Sequence, residues 1–176
     1  ENSTSEEYVK ILLHWFKHDF FSWCDRPKCP KCNTNVNVEG VCTSPPNEME
    51  AKFQTSRTEV YKCVGNRCGN CEVRFPRYND PIKLADTRKG RCGEWANLFG
   101  CILIACGFKT RFVHNFEDHV WNEFYNEEEK RWIHIDPCEE AYDKPLVYEQ
   151  GWGRVMTFII AVSKEEIKDV TLRYVK

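Results

Sequence analysis

The chain has 176 residues, enough for one well-cored domain or for one domain with a small satellite. Its 41% hydrophobic content fits a globular protein, and a net charge of −2 supplies no basic field to draw in nucleic acid or an anionic membrane surface. No apolar run reaches the roughly 18 residues that a bilayer span needs, and no charged-then-apolar leader opens the chain, so neither nucleic-acid binding nor membrane insertion is expected.

The chain opens on Glu1, and the expectation is an excised segment whose flanking regions lie elsewhere. Eleven cysteines is an odd count for a secreted disulfide framework. They divide into CxxC-type pairs and singletons, which favours a reducing compartment and a metal site. Asn2-Ser3-Thr4 matches a glycosylation sequon against that trend. Three-residue matches arise readily by chance, so it carries no weight.

The stretch "EEYVKILLHWFKHDFFSWC" places Val9, Leu12, Leu13 and Phe16 at helical spacing, with Thr4 or Ser5 as N-cap. It predicts an amphipathic helix over the region 1–24 that covers a core or docks a partner. Residues 25–81 change character, with Pro27, Pro30, Pro45 and Pro46, several Asn and Gly, and seven of the eleven cysteines once Cys24 is counted. This predicts a loop-rich lobe with short strands at "RTEVYKC" and "EVRFPRY". From 82 to 176 a core of helix and strands is expected. Leu98, Phe99, Ile102 and Leu103 form an apolar helical stripe between Cys92 and Cys106, stopped by Gly107. "TRFVHNF", "HVWNEFY", "RWIHID" and "RVMTFIIAVS" read as strands.

Cys29-Pro-Lys-Cys32 and Cys68-Gly-Asn-Cys71 are two CxxC knuckles separated by 35 residues. Each knuckle turns both sulfurs toward one point, and two such pairs build a closed tetrahedral thiolate site for zinc. A closed site has no position for substrate, so it staples a lobe short of apolar residues. Cys63 lies five residues before Cys68, and Cys63 with Cys68 is the alternative second pair, leaving Cys71 aside. Cys24 and Cys42 read as unattached thiols.

Cys92 opens the helix between Gly90 and Gly93. A helix N-terminus depresses a thiol pKa, and an adjacent imidazole completes a thiolate–imidazolium pair. Among His14, His18, His114, His119 and His134, the hairpin "DHVWNEFYNEEEKRWIHIDP" selects one. A turn centred on Glu127 and Glu128 sets His119 opposite Asp136, so imidazole and orienting carboxylate arrive together, ~5 Å apart at Cβ. His134 falls opposite Trp121 in that register and is the rival base. Cys101 and Cys106 read as packed thiols, and Trp132 as core. The residues alone lead to a thiol hydrolase or acyl transferase with a structural zinc, substrate unspecified.

"RFPRYNDPIKL", "TRKGRCGEWANLF", "DHVWNEF", "RWIHIDPCE" and "DKPLVYEQGW" closely resemble the cytoplasmic peptide:N-glycanases of the transglutaminase-like superfamily. "FFSWCDRPKCPKC" resembles that family's zinc region. The resemblance implies an α+β fold: a transglutaminase-like, papain-like cysteine hydrolase core with a zinc-binding lobe. It implies an amidase that hydrolyses the GlcNAc–Asn bond of N-glycans on misfolded glycoproteins through Cys92, His119 and Asp136. It places Trp23, Trp121 and Glu139 near the sugar, and it pulls toward Cys63 with Cys68 as the second metal pair. It further implies a cytoplasmic protein, compatible with nuclear presence, that associates with proteasome-shuttling ubiquitin receptors, the N-terminal helix being one route. A transglutaminase or cysteine protease with the same triad is the alternative chemistry. A silent zinc-stabilised glycoprotein-binding scaffold is the non-enzymatic one.

Overall fold

The computed structural model describes residues 4–65 and 68–176, so Asn2 and Ser3 of the sequon lie outside the described residues. The helices are α1 (Ser5–Trp15), α2 (Glu48–Ala51), α3 (Pro81–Thr87) and α4 (Cys92–Ala105). The strands are β1 (Ser22–Trp23), β2 (Val38–Ser44), β3 (Thr58–Cys63), β4 (Cys71–Pro76), β5 (Lys89–Gly90), β6 (Thr110–Asn115), β7 (His119–Asn126), β8 (Arg131–Asp136), β9 (Ala141–Tyr142), β10 (Ile159–Val162) and β11 (Ile167–Asp169). The chain forms two compact units. One comprises residues up to Ser22 together with Trp95–Lys176, and the other is Trp23–Glu94. The lobe expected over 25–81 lies inside the second. Among the described residues no helix is long and apolar enough to cross a membrane.

The first unit is built on an antiparallel sheet ordered β11-β10-β6-β7-β8-β9. Along β7 the side chains alternate between two buried faces. Asn122 and Phe124 turn toward α4 and the loop after it: a Cβ at Gly100 would sit 2.7 Å from the Asn122 amide, and Phe108 meets Phe124 edge-on. Trp121 turns the other way, stacked on Tyr148 at 4.4 Å and edge-on to Tyr174. Beside it Glu123, without exposed surface, takes Arg111 at 2.5 Å and the Tyr174 hydroxyl at 2.6 Å. The sheet is thus buried on both sides, with large aromatics as the filling.

α1 begins at Thr4, whose hydroxyl accepts the Glu7 N–H while the Glu7 carboxylate accepts the Thr4 N–H. The helix does not run on to Cys24. It widens into a π-turn over Phe16–Phe20, closed by Phe21 N–H on the Phe16 carbonyl at 2.8 Å. The extra residue lets Phe16 and Phe21 stack at 5.3 Å with both edges on Trp95.

The second unit has a three-stranded antiparallel sheet, β2-β3-β4. β2 was hidden in the sequence because only Val38 of "VEGVCTS" is buried, and a bulge between Gly40 and Cys42 breaks its alternation. The apolar filling is modest: Val38, Tyr61, Val73 and Phe75 among cysteines. Charge supplements it. Buried Glu50 takes both arms of Arg74 at 2.7 and 2.8 Å, and that contact brings its carboxyl down to about 2. α3 starts on Asp80, which caps the Lys83 N–H, with Pro81 at the first helical position.

Two strand expectations shift. "RVMTFIIAVS" is extended only from Ile159, because Arg154 is held by the Glu117 carbonyl at 2.8 Å and the Thr157 N–H by the Glu117 carboxylate at 3.2 Å. The β7–β8 hairpin closes on Asn126 opposite Arg131, a register two residues from the expected one. The Asn126 side chain accepts the Glu128 and Glu129 N–H groups, and Lys130 adopts a positive φ, so the loop holds four residues. His134 therefore faces Glu123 rather than Trp121. A slip of two preserves the face of every side chain, so His119 and Asp136 remain on one side of the sheet.

Candidate functional site

Cys92 is the first residue of α4 and half-buried, at a helix end whose first N–H groups have no intrahelical partner. That helix start is locked from within the second unit. Glu94 is 5% exposed, accepts the Arg91 N–H at 2.9 Å, and holds the Arg77 guanidinium through two bonds at 2.6 and 2.8 Å. Arg77 and Arg91 both reach Glu59, which the two cations and the Tyr61 hydroxyl keep below its ordinary pKa against the opposing effect of burial. Gly90 is required sterically, since a Cβ there would lie 2.3 Å from that of Glu94. The paired Arg77 offsets the Glu94 charge beside the start of the helix.

In the first unit, His119 Nε2 lies 2.6 Å from Asp136 Oδ2. Asp136 has no exposed surface. Its Oδ1 accepts the Cys138 N–H at 2.9 Å and the Glu139 N–H at 3.4 Å, while Oδ2 also accepts the Tyr148 hydroxyl at 2.8 Å. Burial alone would raise the Asp136 carboxyl. The bond and charge of His119, then the Tyr148 hydroxyl, more than offset this and hold it below its ordinary range.

Behind Tyr148 stands His134. The Lys144 N–H reaches His134 Nδ1 at 3.3 Å, and a backbone N–H can only donate, so Nε2 carries the imidazole hydrogen. It donates to the Tyr148 oxygen at 2.8 Å, and Tyr148 donates onward to Asp136. Burial brings His134 down to about 4, so the ring is neutral near pH 7. The same burial, with Asp136 beside it, pushes the Tyr148 hydroxyl well above its ordinary value and keeps it a donor. With Nε2 on Asp136, the other ring nitrogen of His119 is Nδ1. His134, expected as a rival base, is instead the buried end of this donor chain.

The second unit gathers Cys29, Cys32, Cys63 and Cys68, their sulfurs all within 4.8 Å of one another, so that they could hold a metal ion. A zinc tetrathiolate with bonds near 2.3 Å has sulfur–sulfur edges of about 3.8 Å. Cys29–Cys68 and Cys32–Cys63 are both 3.7 Å apart, so the donor set fits. Cys71 stands outside that group of four. It is the cross-strand partner of Cys63, and its sulfur is 3.2 Å from that of Cys29. Although burial raises it, the backbone N–H of Cys32 and the adjacent Cys71 thiol bring Cys29 down to about 6.

The residues expected near a sugar fare differently. Trp23 is 52% exposed and Glu139 is exposed, but Trp121 has no exposed surface and cannot stack on a ligand. All eleven cysteines are unbridged. Tyr148, Glu59, Arg77 and Arg91 carry roles that sequence patterns did not assign. Glu94, two residues from Cys92 in sequence, is another.

The transglutaminase-like superfamily model matches residues 39–137, and the Rad4 transglutaminase-like domain model matches residues 113–176. The chain is 49% identical over 177 residues to a peptide-N(4)-(N-acetyl-beta-glucosaminyl)asparagine amidase of Saccharomyces cerevisiae, covering 99% of this chain and 48% of that protein. It is 50% identical over 167 residues to the amidase of the same name from Caenorhabditis elegans, covering 95% and 27%, and 45% identical over 175 residues to the one from Gallus gallus, covering 99% and 26%. The chain thus spans about half or less of the length of these curated relatives. Among solved structures, Rad4-Rad23 bound to a 6-4 photoproduct UV lesion shares the fold, with a TM-score of 0.55 at 13% identity over 97% of this chain and 36% of that one. A helix opened by cysteine and an antiparallel sheet carrying a His–Asp pair, within a sequence that matches the superfamily model over more than half its length, place this chain in the transglutaminase-like superfamily.

Proposed function

We propose that this chain is the catalytic region of a deglycosylating amidase that hydrolyses the GlcNAc–Asn bond of N-glycans on misfolded glycoproteins. The His119–Asp136 pair, in a chain about half identical to asparagine amidases of that name, carries the reading. Cys92 acts as a thiolate on the asparagine side-chain carbonyl carbon. The carbon–nitrogen bond breaks, His119 protonates the departing glycosylamine, and a thioester remains on Cys92. Water, deprotonated by His119, attacks the thioester, expelling the Cys92 thiolate and leaving aspartate on the polypeptide. Asp136 keeps the imidazole in the tautomer this cycle needs, and Tyr148 with His134 keeps Asp136 ionised and oriented. Exposed Trp23 and Glu139 are candidates for sugar contact. Cys29, Cys32, Cys63 and Cys68 would hold a structural zinc that staples the second unit.

Eleven unbridged thiols suit the reducing cytosol, where such substrates are returned for disposal. A ubiquitin receptor that shuttles to the proteasome would dock on the outward face of α1, where Tyr8, Ile11 and Trp15 are exposed. Ile11→Glu with Trp15→Glu should abolish that association without disturbing buried Val9, Leu13 or Phe16; unchanged binding removes the helix from the interface.

The deciding experiment incubates the protein with a denatured high-mannose glycoprotein beside a Cys92→Ala control, and reads glycan release and Asn-to-Asp conversion by mass spectrometry. Release with conversion, absent in the control, is expected. No release from a folded, zinc-loaded sample would overturn the amidase reading.

A further inference from the structure

His14 on α1 and His18 in the following π-turn stand four residues apart, their rings 4.4 Å apart between centroids. Both turn to one carboxylate. His14 Nδ1 is 2.6 Å from Glu140 Oε1, and His18 Nε2 is 2.8 Å from Glu140 Oε2. We infer that His14, His18 and Glu140 form a surface binding site for a divalent transition-metal ion of zinc-like character. It is separate from the thiol cluster, and the amidase reaction does not use it.

The donor chemistry selects the ligand. Two neutral imidazoles and a carboxylate suit zinc, nickel or copper, whereas magnesium and calcium prefer an all-oxygen shell. One ligand atom from each residue lies within 4.8 Å of the others. Bonds of about 2.0–2.2 Å need donors roughly 3.3 Å apart, so the side chains must spread by about half an ångström. They can do so, because the His14, His18 and Glu140 side chains are 65%, 48% and 32% exposed. A metal ion takes the place of the hydrogen on each facing ring nitrogen, so binding releases protons. Three protein ligands leave a position for water, making this an exchangeable site, unlike a closed tetrathiolate.

The two halves of the site are also held in place. Glu140 sits at φ +52°, at the end of a turn whose Cys138 and Glu139 N–H groups are fixed on Asp136. Lys17, between the two histidines in sequence, donates to the Cys138 carbonyl at 2.7 Å and docks the same turn onto the helix. A pre-positioned carboxylate facing an i, i+4 histidine pair spends little ordering entropy on binding an ion.

The test uses the chain already carrying one zinc per molecule, with exposed Cys42, Cys101 and Cys106 changed to serine to remove competing thiols. Zn2+ is titrated in calorimetrically. One further equivalent is expected to bind, weakened about tenfold or more in His18→Asn and in Glu140→Gln, while their thermal melts match the parent. No further equivalent, or one whose affinity is unchanged in both variants, would overturn the site.

Discussion

The two units hold their proposed functional residues by opposite means. Around Cys92 the work falls to ions: Glu94, Arg77, Glu59 and Arg91 lock a helix start in a unit with few large apolar side chains. Around His119 and Asp136 it falls to aromatics, with Trp121, Tyr148 and Tyr174 enclosing a single file of hydrogen bonds. A small core must borrow stability from charge and metal, whereas a full one can bury a polar chain provided each member finds a partner. The first unit should therefore be sensitive to pH through its buried histidine, and the second to chelators and to loss of one charge.

The largest effect expected is metal removal. A strong chelator, or Cys63→Ser, should unfold the Trp23–Glu94 unit at a cost on the order of 10 kcal/mol, since a bound structural zinc is folding energy. Hydrogen exchange should show protection lost there and retained in the Trp121 core. Cys71→Ser should still retain one zinc by atomic spectroscopy, and loss of that zinc would make Cys71 a ligand. Next comes Arg77→Ala, which strands buried Glu94 without its guanidinium partner, while Glu59 keeps Arg91 and the Tyr61 hydroxyl. A loss of about 3–5 kcal/mol in a urea melt is expected.

His134→Gln tests the other unit through pH. Above its ordinary value of 6.5, His134 is neutral folded and unfolded alike. As the pH falls from 6.5 toward 4, the unfolded chain takes up a proton that the folded chain refuses, so folding loses stability throughout that window. The loss amounts to roughly 3 kcal/mol by pH 4 and then levels off. Gln has no such proton, so the variant's stability should run flatter between those limits. An unchanged slope would place the titration elsewhere.

Local patterns made much of this legible. The Thr4 cap, the helix opened by Cys92 and the shared face of His119 and Asp136 all follow from residue type and spacing. The hairpin register was off by two because the Asn126 side chain builds its own turn, yet the face survived through the period of the strand. Three things were not legible. CxxC spacing favours Cys71, yet the β3–β4 ladder sets Cys63 directly opposite it, so both thiols reach the cluster and Cys63 completes the group of four. β2 is bulged and mostly exposed, so it has no alternation to detect. The partners of Asp136 and Glu94 arrive from 12 and 17 residues away, where no periodicity connects them.

The smallest effect asks whether the donor chain serves stability or chemistry. Tyr148→Phe keeps the ring stacked on Trp121 and deletes one oxygen. Asp136 then keeps His119 and two backbone donors, while the His134 Nε2–H loses its acceptor. The melt should record about 1–3 kcal/mol, the cost of one unsatisfied buried group. Were Tyr148 only packing, glycan release would keep its pH profile once corrected for folded fraction. If the hydroxyl holds Asp136 ionised, the carboxyl should rise toward its ordinary value, weakening its hold on the His119 imidazolium. The acidic limb of the profile would then move, because a less stabilised imidazolium gives up its proton at lower pH. A downward shift of that limb in Tyr148→Phe, with KM unchanged, would separate positioning from packing.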